Sequence, residues 1–236
     1  MHSSRTPEWP ARTLMAGLDQ SAGRELRALG TPVRLPAGKV LIRQGDEDDR
    51  RVFLLCSAGA HTALVKVTAG LANGAESLLG IRVSGDVVGE MAALCHEPRS
   101  ATVTLCSDAV VHEIPGRAFQ AFLERRPAAS LAVTAMVADR LNWANRRRVD
   151  MAGYDVATHL RAVLAEMVER HGRPTAEGYD LGVSLTQAEL GRLIGARQDA
   201  IGKAMRCLSR SGLVKTTYKR VIVPNPDQLR LQPTND

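Results

Sequence analysis

Two hundred and thirty-six residues make one large domain or two modest ones, and 44% hydrophobic with 24% charged side chains is ordinary globular composition. That balance excludes collagen-like, disordered and disulfide-scaffold classes, and only 3% aromatic residues argue against a base-stacking platform for single-stranded nucleic acid. The formal charge of +6 is concentrated: Gln187 to Arg220 holds eight Lys or Arg against Glu189 and Asp199, an excess equal to that of the whole chain, so a local basic face is expected there.

Cys56, Cys95, Cys106 and Cys207 stand apart with no CxxC pair and no zinc-like spacing, which predicts reduced thiols and no metal. Met1 to Leu14 lacks the apolar run of a signal peptide, and no segment has the length of a membrane span. A cytoplasmic chain without a membrane partner is expected.

From Pro32 to about Pro115 short apolar stretches alternate with turn residues. Strands are predicted at Lys39 to Ile42, Val52 to Leu55, Ala63 to Val67, Ser77 to Ile81, Ala101 to Leu105 and Ala109 to Ile114. Gly45-Asp46, Asn73-Gly74 and Gly85-Asp86 supply the turns between them. Regular short strands of this kind predict an antiparallel roll or barrel. After Pro115 the period becomes helical, with a short helix over Ala118 to Glu124 and a long one from Pro127 to about Asp150. Val133, Val137, Leu141, Ala144 and Arg148 form one stripe along it, able to pack on the roll or to form a seam with a second copy. Arg146, Arg147 and Arg148 point in three directions around the helix and read as a solvated face.

A helix over Val156 to His171 and a polar loop, Gly172 to Asp180, precede the basic region. Thr186-Gln187-Ala188-Glu189 is a capping box that starts a helix, and Gly195 ends it. A second helix, about Gln198 to Arg210, turns Ile201, Met205 and Leu208 inward. Gly191, Gly195 and Ile201 have the spacing of a helix-turn-helix. Thr186 opens it, and Arg197, Gln198, Asp199, Lys203 and Arg206 on the second helix can read base edges or hold phosphates. Leu213 to Thr216 and Arg220 to Val223 predict a hairpin wing made basic by Lys215, Lys219 and Arg220. The partner expected is double-stranded DNA. The domains read as 1–126, 127–152 and 153–236.

Gly85-Asp86-Val87-Val88-Gly89-Glu90-Met91, followed by Pro98-Arg99-Ser100-Ala101, resembles the phosphate-binding cassette of the Crp/Fnr regulators, and the likeness runs from about Val33 to Leu229. The resemblance implies an α+β fold: an N-terminal antiparallel β-roll (a double-stranded β-helix of the cyclic-nucleotide-binding type), a long dimerisation helix and a C-terminal winged helix-turn-helix. It implies a homodimer that binds a DNA operator under control of a cyclic nucleotide, cyclic AMP first among them, and that contacts RNA polymerase. Residues matching Glu90, Arg99 and Ser100 hold the ribose and cyclic phosphate in that family. The chemistry of the residues agrees: Gly89 permits close backbone approach, a helix from Met91 offers amide groups, and Arg99 can grip an anion with two prongs. The structural alternative is a Glu90–Arg99 ion pair.

Two departures stand out. Where cyclic-AMP-binding members carry a Thr-Ser pair, this sequence has Ala144-Asn145, which leaves Asn145 as the side chain able to read a base. The Ser-Arg-Glu-Thr run of the reading helix is Arg197-Gln198-Asp199-Ala200 here; Gln198 suits adenine and implies a different half-site. Three other readings compete: haem at Cys95-His96, a metalloenzyme using His61, Glu90 and His96 without an H-x-H pair, and constitutive DNA binding with an idle pocket. No nucleophile elbow or P-loop supports an enzyme.

Overall fold

The computed structural model describes residues 9–59, 62–70, 74–217 and 220–230, so His61, Asn73 and Lys219, named above, lie outside the described residues. The chain divides into two compact units, the first ending at Leu141 and the second starting at Asn142.

The first unit opens with helix α1 (Gln20–Ala28), whose N-cap Asp19 accepts from the Ala22 amide at 2.8 Å. Strands β1 (Thr31–Leu35), β2 (Val40–Ile42), β3 (Val52–Ser57), β4 (Leu64–Gly70), β5 (Glu76–Val83) and β6 (Val87–Val88) follow. Helix α2 (Glu90–Cys95), β7 (Thr102–Leu105), β8 (Ala109–Ile114), α3 (Gly116–Arg125) and α4 (Pro127–Gly153) come next, and α4 runs on past Leu141 into the second unit. All pairings are antiparallel, in sheets ordered β1-β8-β3-β6 and β2-β7-β4-β5, which is the expected roll.

Strand β3 shows why the roll has two cores. Its residues alternate faces. Val52, Leu54 and Cys56 join Leu26, Phe119, Phe122 and Val133 under the helices, whereas Phe53 and Leu55 join Ile42, Val65, Val103 and Leu105 inside the roll. A strand covered on both faces must be apolar throughout, and Val52 to Cys56 is.

On α4 the inward residues are Ala129, Val133 and Met136, with Val137 at the edge of that cluster. Leu131 and Leu141 are 71% and 59% exposed. The expected single stripe from Val133 to Arg148 is therefore corrected: Val133 packs on the roll, Leu141 does not. Its spacing averages more than 3.6 residues, so over the 15 residues the row drifts about 60° around the axis.

The second unit contains α5 (Val156–His171), capped by Asp155, then β9 (Arg173–Thr175), β10 (Gly178–Asp180), α6 (Gln187–Ile194), α7 (Gln198–Arg210), β11 (Lys215–Thr217), β12 (Arg220–Val223) and α8 (Pro226–Leu229). The expected polar loop from Gly172 to Asp180 is instead mostly a hairpin, because β10 pairs with the distant β12 in a sheet ordered β11-β12-β10-β9. The arginine run is also corrected. Arg146 pairs with Glu166 at 2.7 Å, and Arg147 lies 3.7 Å from the Trp143 ring centroid and donates to the Leu193 carbonyl at 3.2 Å; Arg148 is exposed. Burial pushes the Arg147 pKa down to about 10, against the pull of Glu166. No helix among the described residues is long and apolar enough to cross a membrane.

Candidate functional site

The cassette begins at a tight approach. Gly89 caps α2 with φ +85°, and a Cβ there would stand 2.5 Å from Arg99 Nη1 and 2.8 Å from the Arg51 carbonyl oxygen. Glycine is required twice over, by the left-handed backbone and by the space. The space is filled by the Arg99 guanidinium itself.

Arg99 is 2% exposed at its side chain. Its Nη1 donates to the Gly89 carbonyl at 2.9 Å and its Nη2 to the Arg51 carbonyl at 2.7 Å, with Asp49 Oδ1 3.3 Å away. Desolvation pulls its pKa down and Asp49 opposes that shift. The Nε–H is buried with no hydrogen-bond partner among the described residues. The guanidinium expected to be open to an anion is thus largely tied to the loops around it, with its Nε–H left without a partner among the described residues. The Glu90–Arg99 ion pair does not form, since Glu90 is held elsewhere.

Its partner is Arg140 of α4, whose Nη1 donates to Glu90 Oε1 at 2.7 Å and whose Nη2 donates to the Val87 carbonyl at 2.9 Å. Arg140 Nη2 also forms an ion pair with Asp86 Oδ1 at 3.2 Å. Burial raises the Asp86 pKa against the opposing charges of Arg140 and Arg82. Burial by itself would lower the Arg140 pKa; Glu90 and Asp86 outweigh it and raise it.

A cavity of about 280 Å³ opens beside this network. Glu90, Met91 and Ser100 line it at the cassette, as do Arg82 on β5 and Arg140 on α4. Its apolar walls come from Val67, Leu79, Val88 and Val103 of the roll and from Val137 and Leu141 of α4. Of the expected ligand residues, Glu90, Met91 and Ser100 line the cavity and Gly89 and Arg99 do not, and Asn145 is exposed on α4 in the second unit.

Sequence reading missed Arg82 and Arg140. A charged residue at each site is visible in the sequence, but its direction is not. The β4–β5 register slips between Val67 and Thr68, leaving Leu79 unpaired, and that bulge puts Leu79 and Arg82, three apart, on one cavity. Cys95 and His96 are exposed at the end of α2, where His96 takes a left-handed conformation with φ 57°. Among the described residues no group of three or more His, Cys, Asp or Glu is placed to hold a metal.

In the second unit the capping box is complete: Glu189 N donates to Thr186 Oγ1 at 3.1 Å, and Thr186 N donates to Glu189 Oε2 at 2.7 Å. Gly195 ends α6 at φ +74°. Across the turn the Ala196 amide donates to the Gly191 carbonyl at 2.8 Å. Helix α7 buries Ile201, Ala204, Met205 and Leu208, which leaves Arg197, Gln198, Asp199, Lys203 and Arg206 exposed together. Arg197 makes no side-chain cap, in keeping with a long basic residue at that position. Thr186 is itself exposed but occupied as a cap. On the wing, Lys215 lies 3.5 Å from Glu177, and Arg220 is held by the buried Asp180. A second cavity of about 440 Å³ separates α6 and α7 from the wing and is bordered by Gln187, Arg206, Arg210, Thr216, Thr217 and Arg220. Its rim is cationic and hydroxyl-bearing, suited to a phosphodiester backbone.

Comparison with known proteins places these two regions. Residues 32–126 match the cyclic nucleotide-binding domain family, and residues 158–231 match the Crp-like helix-turn-helix domain family. The CRP-like cAMP-activated global transcriptional regulator of Mycobacterium tuberculosis is 26% identical over 92% of this chain and 94% of its own. The cAMP-activated global transcriptional regulator Vfr of Pseudomonas aeruginosa is 26% identical over 80% of this chain and 87% of its own. Among solved structures, the c-di-GMP responsive global regulator CLP of Xanthomonas campestris superposes with a TM-score of 0.72 at 21% identity, covering 88% of this chain and all of that one. A CRP-family transcriptional regulator from Thermus thermophilus, TTHB099, gives 0.65 at 20% identity over 84% of this chain and 94% of its own.

Proposed function

Because the chain belongs to the Crp/Fnr family of transcription regulators, with a cyclic nucleotide-binding domain ahead of a Crp-like helix-turn-helix, we propose that it is a homodimer whose hold on a DNA operator is set by a cyclic nucleotide in the roll cavity. The family is one of regulators, not enzymes. The observation that carries the proposal is the orphaned, buried Nε–H of Arg99, the residue preceding Ser100, which lines the cavity together with Glu90. A buried donor without a partner costs about 1–3 kcal/mol, a cost that a bound anion would relieve.

Ser100 and Arg99 would hold the phosphate, and Glu90 would accept from the ribose. The names of the relatives bring cyclic AMP here as the first ligand to test. Transmission is short: Val137, Arg140 and Leu141 of α4 are cavity wall, so filling the cavity acts on the long helix directly. A coupling of about 1–3 kcal/mol would change DNA affinity some 5 to 150-fold.

The second copy would cover the exposed face of α4, where Leu131, Ala138, Leu141 and Asn145 follow spacings of 7, 3 and 4. Gln198, Asp199 and Lys203 would read bases in the major groove, with Arg197, Arg206, Lys215, Lys219 and Arg220 on phosphates and Thr186 at the start of α6. Two such readers would address half-sites about one DNA turn apart. A cytoplasmic setting and contact with RNA polymerase follow from the resemblance.

A second reading, constitutive DNA binding with an idle pocket, is favoured by one observation: both Nη atoms of Arg99 are already used by Gly89, Arg51 and Asp49. Calorimetric titration with cyclic AMP and cyclic GMP separates the two. Heat with the wild type that is lost in Ser100→Ala and Arg99→Leu supports ligand control, and no heat with either nucleotide selects the idle pocket.

A further inference from the structure

We propose that the cavity between α7 and the wing is a second ligand site, taking an amphipathic monocarboxylate whose occupancy excludes DNA; the exclusion rests on the reading that α7 and the wing lie on the phosphate backbone.

The cavity measures about 440 Å³, inside the range of roughly 300–1,000 Å³ usual for small-molecule sites. It lies wholly within the second unit. Its floor is apolar, formed by Leu185 ahead of α6, Leu190 on α6, Met205 on α7 and Val221 on β12. A DNA phosphate gains nothing from such a floor, whereas an alkyl or aryl body would remove it from water.

The charge sits at the rim. Gly202, Arg206 and Arg210 follow one another at intervals of four along α7, so all three share one face. Gly202 carries no side chain, and a Cβ there would stand 3.0 Å from Gln187 Oε1 and 3.5 Å from Arg206 Nη1. The Arg206 guanidinium therefore turns back along the helix towards the glycine, at the mouth of the cavity.

Arg206 and Arg210 are exposed and form no ion pair among the described residues, whereas Arg220 across the cavity is held by Asp180. No carboxylate among the described residues lines the cavity. Two like charges one turn apart repel each other. A carboxylate between them relieves that repulsion, and its two oxygens accept from a guanidinium fork. Arg206 is also assigned to a DNA phosphate, so a bound carboxylate and that phosphate compete for one cation.

The test is calorimetric titration of the whole chain with octanoate, with acetate and 1-octanol supplying the charge and the tail separately. The expected result is one octanoate per chain, bound about ten-fold or more tighter than either fragment and weakened about ten-fold or more in Arg206→Gln and in Arg210→Gln. Both arginines are exposed, so neither variant endangers the fold. Octanoate that does not bind, that binds no better than 1-octanol, or that binds both variants as it binds the wild type overturns the site. Mobility shifts with a random-sequence duplex, with cyclic AMP present and absent, read the exclusion. Octanoate at about ten times its Kd should weaken DNA binding about ten-fold, and acetate at the same ionic strength should not. Unchanged DNA affinity at saturating octanoate overturns the exclusion. Absence of DNA binding by the wild type without octanoate would instead overturn the phosphate reading of α7 and the wing, and calorimetry would still decide the site.

Discussion

Arg140→Leu tests the ionic network at the base of the cavity. The substitution keeps an apolar stem and removes the charge that faces both Glu90 and Asp86. The charge of Arg82 also lowers the Asp86 pKa, so part of the compensation survives the substitution. Breaking one side of a buried ion pair costs about 3–5 kcal/mol. For a unit of this size about 1 kcal/mol moves the midpoint by ~2–4 °C, so the roll transition should fall by roughly 6–20 °C at pH 7.5.

The pH dependence has a definite sign. Burial already raises the Asp86 pKa above its ordinary 3.8, so the folded protein binds more protons there than the unfolded one and stability falls as pH rises through that window. Loss of Arg140 raises it further and widens the window upward. Scanning calorimetry at pH 5.0 and 7.5 should therefore show the smaller deficit at pH 5.0, and Asp86→Asn added to Arg140→Leu should recover part of it. A deficit under about 1 kcal/mol, or one equal at both pH values, would refute the argument.

Gly89→Ala places a Cβ against Arg99 and the Arg51 carbonyl in a left-handed backbone, so at least ~1–2 kcal/mol of roll stability should be lost in thermal melts; a neutral result would show that Arg99 can move aside. Gln198→Ala should relax base preference at one half-site position by about 1–3 kcal/mol in a binding-site selection, without much change at the others. Lys215→Ala, by contrast, should weaken binding to all sequences alike and reduce the slope of log affinity against log salt by about one in mobility-shift titrations.

Sequence alone determined the elements whose causes are local. The capping box at Thr186 and Glu189, the left-handed Gly195 and the alternation from Ala109 to Ile114 each act within a few residues, and all appear where expected. The order of roll, long helix and winged helix-turn-helix was legible for the same reason. Tertiary structure decided what side chains meet. Arg99 is tied down by carbonyls 10 and 48 residues away, and Glu90 turns to Arg140, 50 residues on. No local pattern records such distances. One bulge at Leu79 reverses the facing of Arg82, and pairing with β12 makes strands of Arg173 to Asp180 that carry little strand signal of their own. Local propensity fixes where a helix or strand starts and stops; which face is covered, and which charge finds which, depends on contacts formed only when distant segments pack.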